Sequence, residues 1–277
     1  EQSTPDPSAG LPGLRMPTVE PLCVSGKVLD FFRLLDSARV TLTGDGTIDG
    51  QGQAWWDAAI TGEVALRPHM LTFVNSTDLI LERLTLRNSP RFHVFFRDCA
   101  RVIVRFVTID VDRFTQRALK ARMHADRLAR LGVRWWLVAA PLARHLYRLD
   151  RRPFDPYPSW EDWLLDKLVK LLPAWALQPE DLNTDGIDPN GIDFHIHDCS
   201  INNDDDSIAV KPLDSAKSSR TKCTQDMLIE NMTLTGFGAS IGSVTPHADV
   251  NCVRNITFRN ISMPGTGKGI YIKVRGG

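Results

Sequence analysis

The sequence predicts an all-β protein, a right-handed single-stranded parallel β-helix (a solenoid) with a mainly helical insertion. Three observations carry that expectation: an eight-residue pattern found five times, a second apolar strand after most copies, and one outsized gap between copies. The pattern is apolar-x-apolar-x-x-apolar-x-apolar. Its copies start at Leu79 (LILERLTL), Val102 (VIVRFVTI), Phe194 (FHIHDCSI), Met227 (MLIENMTL) and Ile256 (ITFRNISM), with Thr or Ser always seventh. Alternation with period two marks a strand buried on one face. The three-residue step in the middle reads as a bend or bulge that turns the chain while keeping side chains inward. Short apolar strands at 94–96, 208–210, 239–241 and 270–272 follow. Two or three strands per repeat with no helix between repeats describe a solenoid coil. A β-sandwich would need hairpin turns every 8–12 residues or so, and the pattern lacks them.

The copies start 23, 92, 33 and 29 residues apart. One ordinary coil takes 23 of the 92, which leaves about 69 for an insertion, and its composition changes at 112–181. Arg113, Arg117, Arg122, Arg127, Arg130 and Arg134 precede an apolar patch, a Pro-rich break and a stripe with Trp160, Trp163 and Trp175 at helical spacing. Two or three helices are expected there, with the tryptophans packing the insert. The domain reading is an N-terminal extension over 1–39 and a β-helix over 40–277, interrupted by 112–181.

Composition narrows the function. The 33 basic residues balance the 33 acidic ones, which gives no support to a nucleic-acid or membrane-surface role. No apolar run approaches the roughly 20 residues of a bilayer span. Five cysteines match no zinc spacing, and their connectivity cannot be deduced. Sequons at Asn75, Asn231, Asn255 and Asn260 fit a secreted glycoprotein, although the last three also fall out of the repeat.

Carboxylates cluster where the second strand of a coil begins. Asn183-Thr184-Asp185-Gly186 follows the insertion, and Asp204-Asp205-Asp206 lies about 20 residues on, close to one coil. Asp185 and the Asp205/Asp206 pair should therefore stack on one face of adjacent coils and converge in an open groove. Crowded carboxylates repel, which keeps at least one protonated near neutral pH. One protonated and one ionised carboxyl group is what glycoside hydrolysis requires. Calcium ligands are the rival use of such a cluster.

The ordered motifs resemble glycoside hydrolase family 28, the polygalacturonase or pectinase family. They are Gly46-Thr47-Ile48-Asp49-Gly50-Gln51-Gly52 with Trp55-Trp56, then Asn183 to Gly186, then Asp205-Asp206-Ser207-Ile208-Ala209-Val210-Lys211. Gly236-x-Gly238-x-Ser240-Ile241-Gly242-Ser243 and Gly269-Ile270-Tyr271-Ile272-Lys273 continue the series. The resemblance implies inverting hydrolysis of an acidic pectic polysaccharide by a secreted, monomeric protein without cofactor or metal. By it, Asp205 is the general acid, Asp185 and Asp206 activate the water, and Asn183, Tyr271, Lys273 and His247 contact substrate. Inversion calls for about 6.5–9.5 Å between carboxyl groups. The chain departs from the family at Phe237, where His is usual, at Tyr271, where Arg is usual, and at Asp204, where Gly is usual. It also stops where the family adds further coils, so C-terminal truncation is expected. The alternatives are a calcium-dependent pectate lyase-like β-helix and an inactive wall-polysaccharide-binding one.

Overall fold

The computed structural model describes residues 23–24, 27–61, 63–64, 66–130, 145, 182–214, 223–244 and 251–274. Their strands form three columns of parallel ladders, as expected of a β-helix. The first column stacks β4 (Ala38–Thr43), β7 (Thr77–Glu82), β10 (Cys99–Arg105), β13 (Gly191–His197) and the first halves of β17 (Thr224–Leu234) and β19 (Asn251–Ser262). The second column stacks β5 (Thr47–Asp49), β8 (Thr85–Arg87), β11 (Thr108–Asp110), β14 (Ser200–Asn202) and the remaining halves of β17 and β19. The third runs through β3 (Phe32–Leu35), β6 (Leu71–Val74), β9 (Val94–Arg97), β12 (Ile187–Asp188), β15 (Asp206–Val210), β18 (Gly238–Val244) and β20 (Gly269–Val274). Short antiparallel pairs join β1 (Cys23–Val24) to β2 (Lys27–Val28), and β16 (Leu213–Asp214) to β19.

The repeat governs the register. Leu79, Val102, Phe194, Met227 and Ile256 pair in one continuous row. The predicted bend is one residue in left-handed backbone at the fifth position: Arg83, Phe106, Asp198, Asn231 and Asn260 all have φ between 51° and 56°. Asn and Asp tolerate that conformation best, because a short polar side chain bonds locally. Asn260 Nδ2 donates to Asn231 Oδ1 at 2.8 Å across the coils, so these two sequons also have a structural role. Apolar positions stack inside, as in Leu81, Val104, Ile196 and Ile229, all 1% exposed or less. Phe73, Phe96 and Phe194 form an aromatic row with centroids 5.0 and 5.4 Å apart.

A sixth coil, Val40 to Ile48, extends the ladder before the five predicted copies. One additional residue in its bend shifts Thr47 out of the eight-residue pattern. The third column begins at Phe32, so the β-helix starts earlier than the expected boundary at 40. The last described coil leaves Ile270, Ile272 and Val274 exposed. Cys223 and Cys252 form a disulfide between adjacent coils, while Cys99 and Cys199 are buried thiols. No helix among the described residues is long and apolar enough to cross a membrane.

Two helices leave the turns between the second and third columns. They are α1 (Gln53–Thr61) and α2 (Arg113–Arg130), the start of the predicted insertion. Asp112 caps α2, accepting from Thr115 N–H at 2.9 Å and Thr115 Oγ1 at 2.7 Å. Trp56, Ile60, Val111, Leu119 and Leu182 pack the helices together. The helices expected at 131–181 lie outside the described residues.

Candidate active site

The turns from the second column to the third also hold the chemistry. Asp185 ends the turn before β12, and Asp205 ends the turn before β15. Pairing of Ile187 with Ile208 stacks the two turns. One oxygen from each of Asp185, Asp205 and Asp206 lies within 4.8 Å of the others, so the structure brings the predicted cluster together.

Backbone links hold this arrangement. Gly186 N–H donates to Asp206 O at 2.9 Å. A Cβ on Gly186 would sit 2.3 Å from Ser207 O, so only glycine permits that approach. Asn203, fully buried, donates through Nδ2 to Thr184 O at 3.0 Å and Asp206 O at 2.9 Å, bridging both turns. His93 supports Asp185 from the coil before. Ser89 N–H donates to His93 Nε2 at 3.2 Å, which leaves the ring proton on Nδ1, 3.0 Å from Asp185 O. Burial pulls His93 down to about 4, so it stays neutral.

The carboxylates differ in their surroundings. Burial and the neighbouring Asp188 charge push Asp185 up to about 7, against the pull of Lys211. Burial likewise pushes Asp188 up to about 6. Lys211 Nζ lies 3.3 Å from Asp185 and 3.1 Å from Asp188. Burial disfavours the Lys211 charge, but those carboxylates outweigh it and hold its pKa above the usual lysine range. Asp206 faces the other way. It accepts from Ser240 Oγ at 3.0 Å and from the Tyr271 hydroxyl, and it pairs with Lys273 Nζ. Burial and then the bond to Asp206 raise the Tyr271 phenol above its usual range. Asp205 Oδ1 accepts the Asp206 N–H at 2.7 Å.

The structure places Lys273 and Tyr271 beside Asp206, although Lys273 there faces a carboxylate of the protein. Asn183, half-buried in left-handed backbone (φ 46°), lies two residues before Asp185. His247 lies outside the described residues. One expectation needs correction. The cluster is less open than expected: Asp185, Asp205 and Asp206 are 3%, 6% and 0% exposed.

Four charged residues escaped the sequence reading: Asp188, Lys211, Arg67 and Arg91. Arg67 Nη1 donates to Pro90 O at 2.7 Å and to Leu182 O, and burial followed by repulsion from Arg91 lowers its pKa to about 10. Arg91 and Lys211 flank the Phe92 ring at 5.0 and 5.2 Å. Only Lys211 had a signal in the sequence, as the end of the Asp205-to-Lys211 motif. The departure at Asp204 has a physical counterpart in α2. Arg113 Nε donates to its carboxylate at 2.9 Å, and Arg117 Nε and Nη2 donate at 2.9 and 2.6 Å. Burial disfavours the Asp204 charge, but these arginines outweigh it and keep the pKa low.

The family model described as "Glycosyl hydrolases family 28" matches residues 24–116 and 175–277, and the chain belongs to that family. It is 22% identical over 246 residues to an exopolygalacturonase of Cochliobolus carbonum, covering 88% of this chain and 39% of that protein. An endo-polygalacturonase of Pectobacterium carotovorum subsp. carotovorum is 26% identical over 263 residues, 90% of this chain and 47% of that one. Among solved structures, the polygalacturonase from Erwinia carotovora ssp. carotovora has a TM-score of 0.56 at 22% identity, covering 89% of this chain and 49% of the other. The endo-xylogalacturonan hydrolase from Aspergillus tubingensis has a TM-score of 0.54 at 20% identity, covering 88% and 48%. These two likenesses show the fold. The chain spans about half or less of the length of these four proteins.

Proposed function

We propose that this chain carries the centre of a secreted glycoside hydrolase that cleaves an acidic pectic polysaccharide, polygalacturonan-like, with inversion. The observation that carries the proposal is the convergence of Asp185, Asp205 and Asp206 within 4.8 Å, between Lys211 on one side and Lys273 on the other. The disulfide between Cys223 and Cys252 supports an oxidising, extracellular setting.

Asp205 gives its proton to the glycosidic oxygen as the bond from the anomeric carbon to that oxygen breaks. A water held by Asp185 and Asp206 attacks the opposite face, and its proton passes to that pair. Oxygens at most 4.8 Å apart suit such a water, because two bonds of about 2.8 Å span that gap at an angle of about 118°. Carboxylates this close share protons, so the titration belongs to the cluster as a whole. Ser240 and Lys273 occupy Oδ2 of Asp206 and Tyr271 one side of Oδ1, which leaves one lone pair on Oδ1 for the water and disfavours nucleophilic attack by this carboxylate. Asn183 and Tyr271 line the substrate side.

A calcium-dependent lyase is the second reading, and three converging oxygens favour it. Against it, the ammonium groups of Lys211 and Lys273 sit on the carboxylates a cation would need, and calcium takes six to eight oxygens. Reducing ends released from polygalacturonate, with and without a chelator, test both readings. Release unaffected by chelator fits the hydrolase. Chelator-sensitive release with a new ultraviolet-absorbing C=C bond fits the lyase.

A further inference from the structure

Two of the residues expected to contact substrate are engaged by the protein itself. Lys273 is paired with Asp206, and Tyr271 stands where the related pattern has a second cation and donates its hydroxyl to the same carboxylate. A different cation lies beside them. Lys268 Nζ sits over two ring faces, 4.5 Å from the Phe237 centroid and 4.7 Å from the Tyr271 centroid. Phe237 and Tyr271 are two of the three positions at which this chain departs from the family motifs, and here both rings meet one ammonium.

The placement of Lys268 follows from the backbone. Phe237 N–H donates to Asp205 O at 2.9 Å, which ties the Phe237 turn to the turn of the candidate acid. Gly267 N–H donates to Gly236 O at 2.7 Å, and Gly269 N–H to Phe237 O at 3.2 Å, so the Lys268 turn is pinned from both sides. Gly236 is required there: its φ is 53°, and a Cβ would lie 2.2 Å from Asp205 O. Two successive links thus run from Asp205 to the turn that bears Lys268. Two steps of the ladder at about 4.8 Å each put that turn roughly 10 Å along the solenoid from Asp205.

Lys268 is exposed, and among the described residues no carboxylate pairs with it. Ring faces attract an ammonium without neutralising it, so they orient the group and leave its charge for a ligand. Resting on the hydrolase reading above, we propose that Lys268 is a specificity-determining residue that binds the free carboxylate of a uronate sugar on the C-terminal side of the Asp cluster. It would supply the cation that Tyr271 does not and would select the free acid over its methyl ester.

The test titrates a galacturonate oligosaccharide and its methyl-esterified counterpart into the full chain and into Lys268→Met and Lys268→Arg. Because Lys268 is exposed, both variants should keep the parent's thermal unfolding. Lys268→Met should weaken binding of the acid about ten-fold and leave the ester unchanged, and Lys268→Arg should recover most of the affinity. Acid binding by Lys268→Met within two-fold of the parent would overturn the proposal. So would equal losses for acid and ester, or a parent that does not bind the acid. Turnover of polygalacturonate is measured separately. A parent that binds through Lys268 but releases no reducing ends sinks the hydrolase reading alone, whereas hydrolysis with KM unaltered by Lys268→Met sinks the Lys268 proposal alone.

Discussion

The inside of the solenoid and the turns between its second and third columns obey opposite rules. Inside, each coil repeats the one before: Leu79, Val102, Phe194, Met227 and Ile256 share one row, and their burial stabilises every coil in the same way. In the turns no two coils agree. One emits α1, another both emits α2 and presents Asp185, and the next presents Asp205. The ladder tolerates this variety because its hydrogen bonds lie in the strands, so the turns are free to carry chemistry. That contrast can be broken by substitution on either side.

The largest effect is expected in the turns. Asp205→Asn should lower hydrolysis about 10²- to 10⁴-fold, since it removes the proton donor, while unfolding stays unchanged. Activity within a few-fold of the parent would remove Asp205 from its role. Inside, the reverse holds. Phe194→Ala, at a position 2% exposed and edge-on to Phe96, should cost about 3–5 kcal/mol of stability. Denaturant unfolding measures that loss, and turnover per folded molecule should persist.

A middle case joins both regions. Arg113→Gln with Arg117→Gln strips the partners from an Asp204 side chain that is 11% exposed, so a destabilisation of about 1–3 kcal/mol is expected. Adding Asp204→Gly should recover part of it. No recovery would mean that the arginines act on α2 rather than on the turn.

The smallest effect concerns titration. Asp188 is, after burial, the strongest cause of the high Asp185 pKa of about 7. Asp188→Asn should therefore move the Asp185 midpoint downward, which carboxyl-resolved NMR can follow. The sign for stability follows too. Asp185 and Asp188 sit at about 7 and 6 in the fold against an ordinary 3.8, so stability is lost as pH rises through that window. Asp188→Asn should make that loss shallower, with Asp185 remaining to partner Lys211. An unchanged slope would contradict the assignment of Asp188.

Legibility in the sequence divides along the same line. The five copies were readable because each obeys one local pattern, and the coil at Val40 was missed because a single additional residue in its bend breaks it. Asp185, Asp205 and Asp206 were readable because their spacing is close to one coil. The Asp204 partners were not, since Arg113 and Arg117 lie 91 and 87 residues away in the chain. Nor were Asp188 and the pairing of Lys211, because an Asp before Pro189 and a Lys at a strand end look like ordinary turn and surface residues. Only stacking of the coils makes them neighbours.

The most direct test of the central claim is the configuration of the first-formed product, followed by proton NMR while the parent protein cleaves a galacturonate oligosaccharide. The account predicts a new reducing end that appears first as the anomer opposite to the scissile bond and then mutarotates. A product that starts with retained configuration, or one that carries a C=C bond, would contradict it.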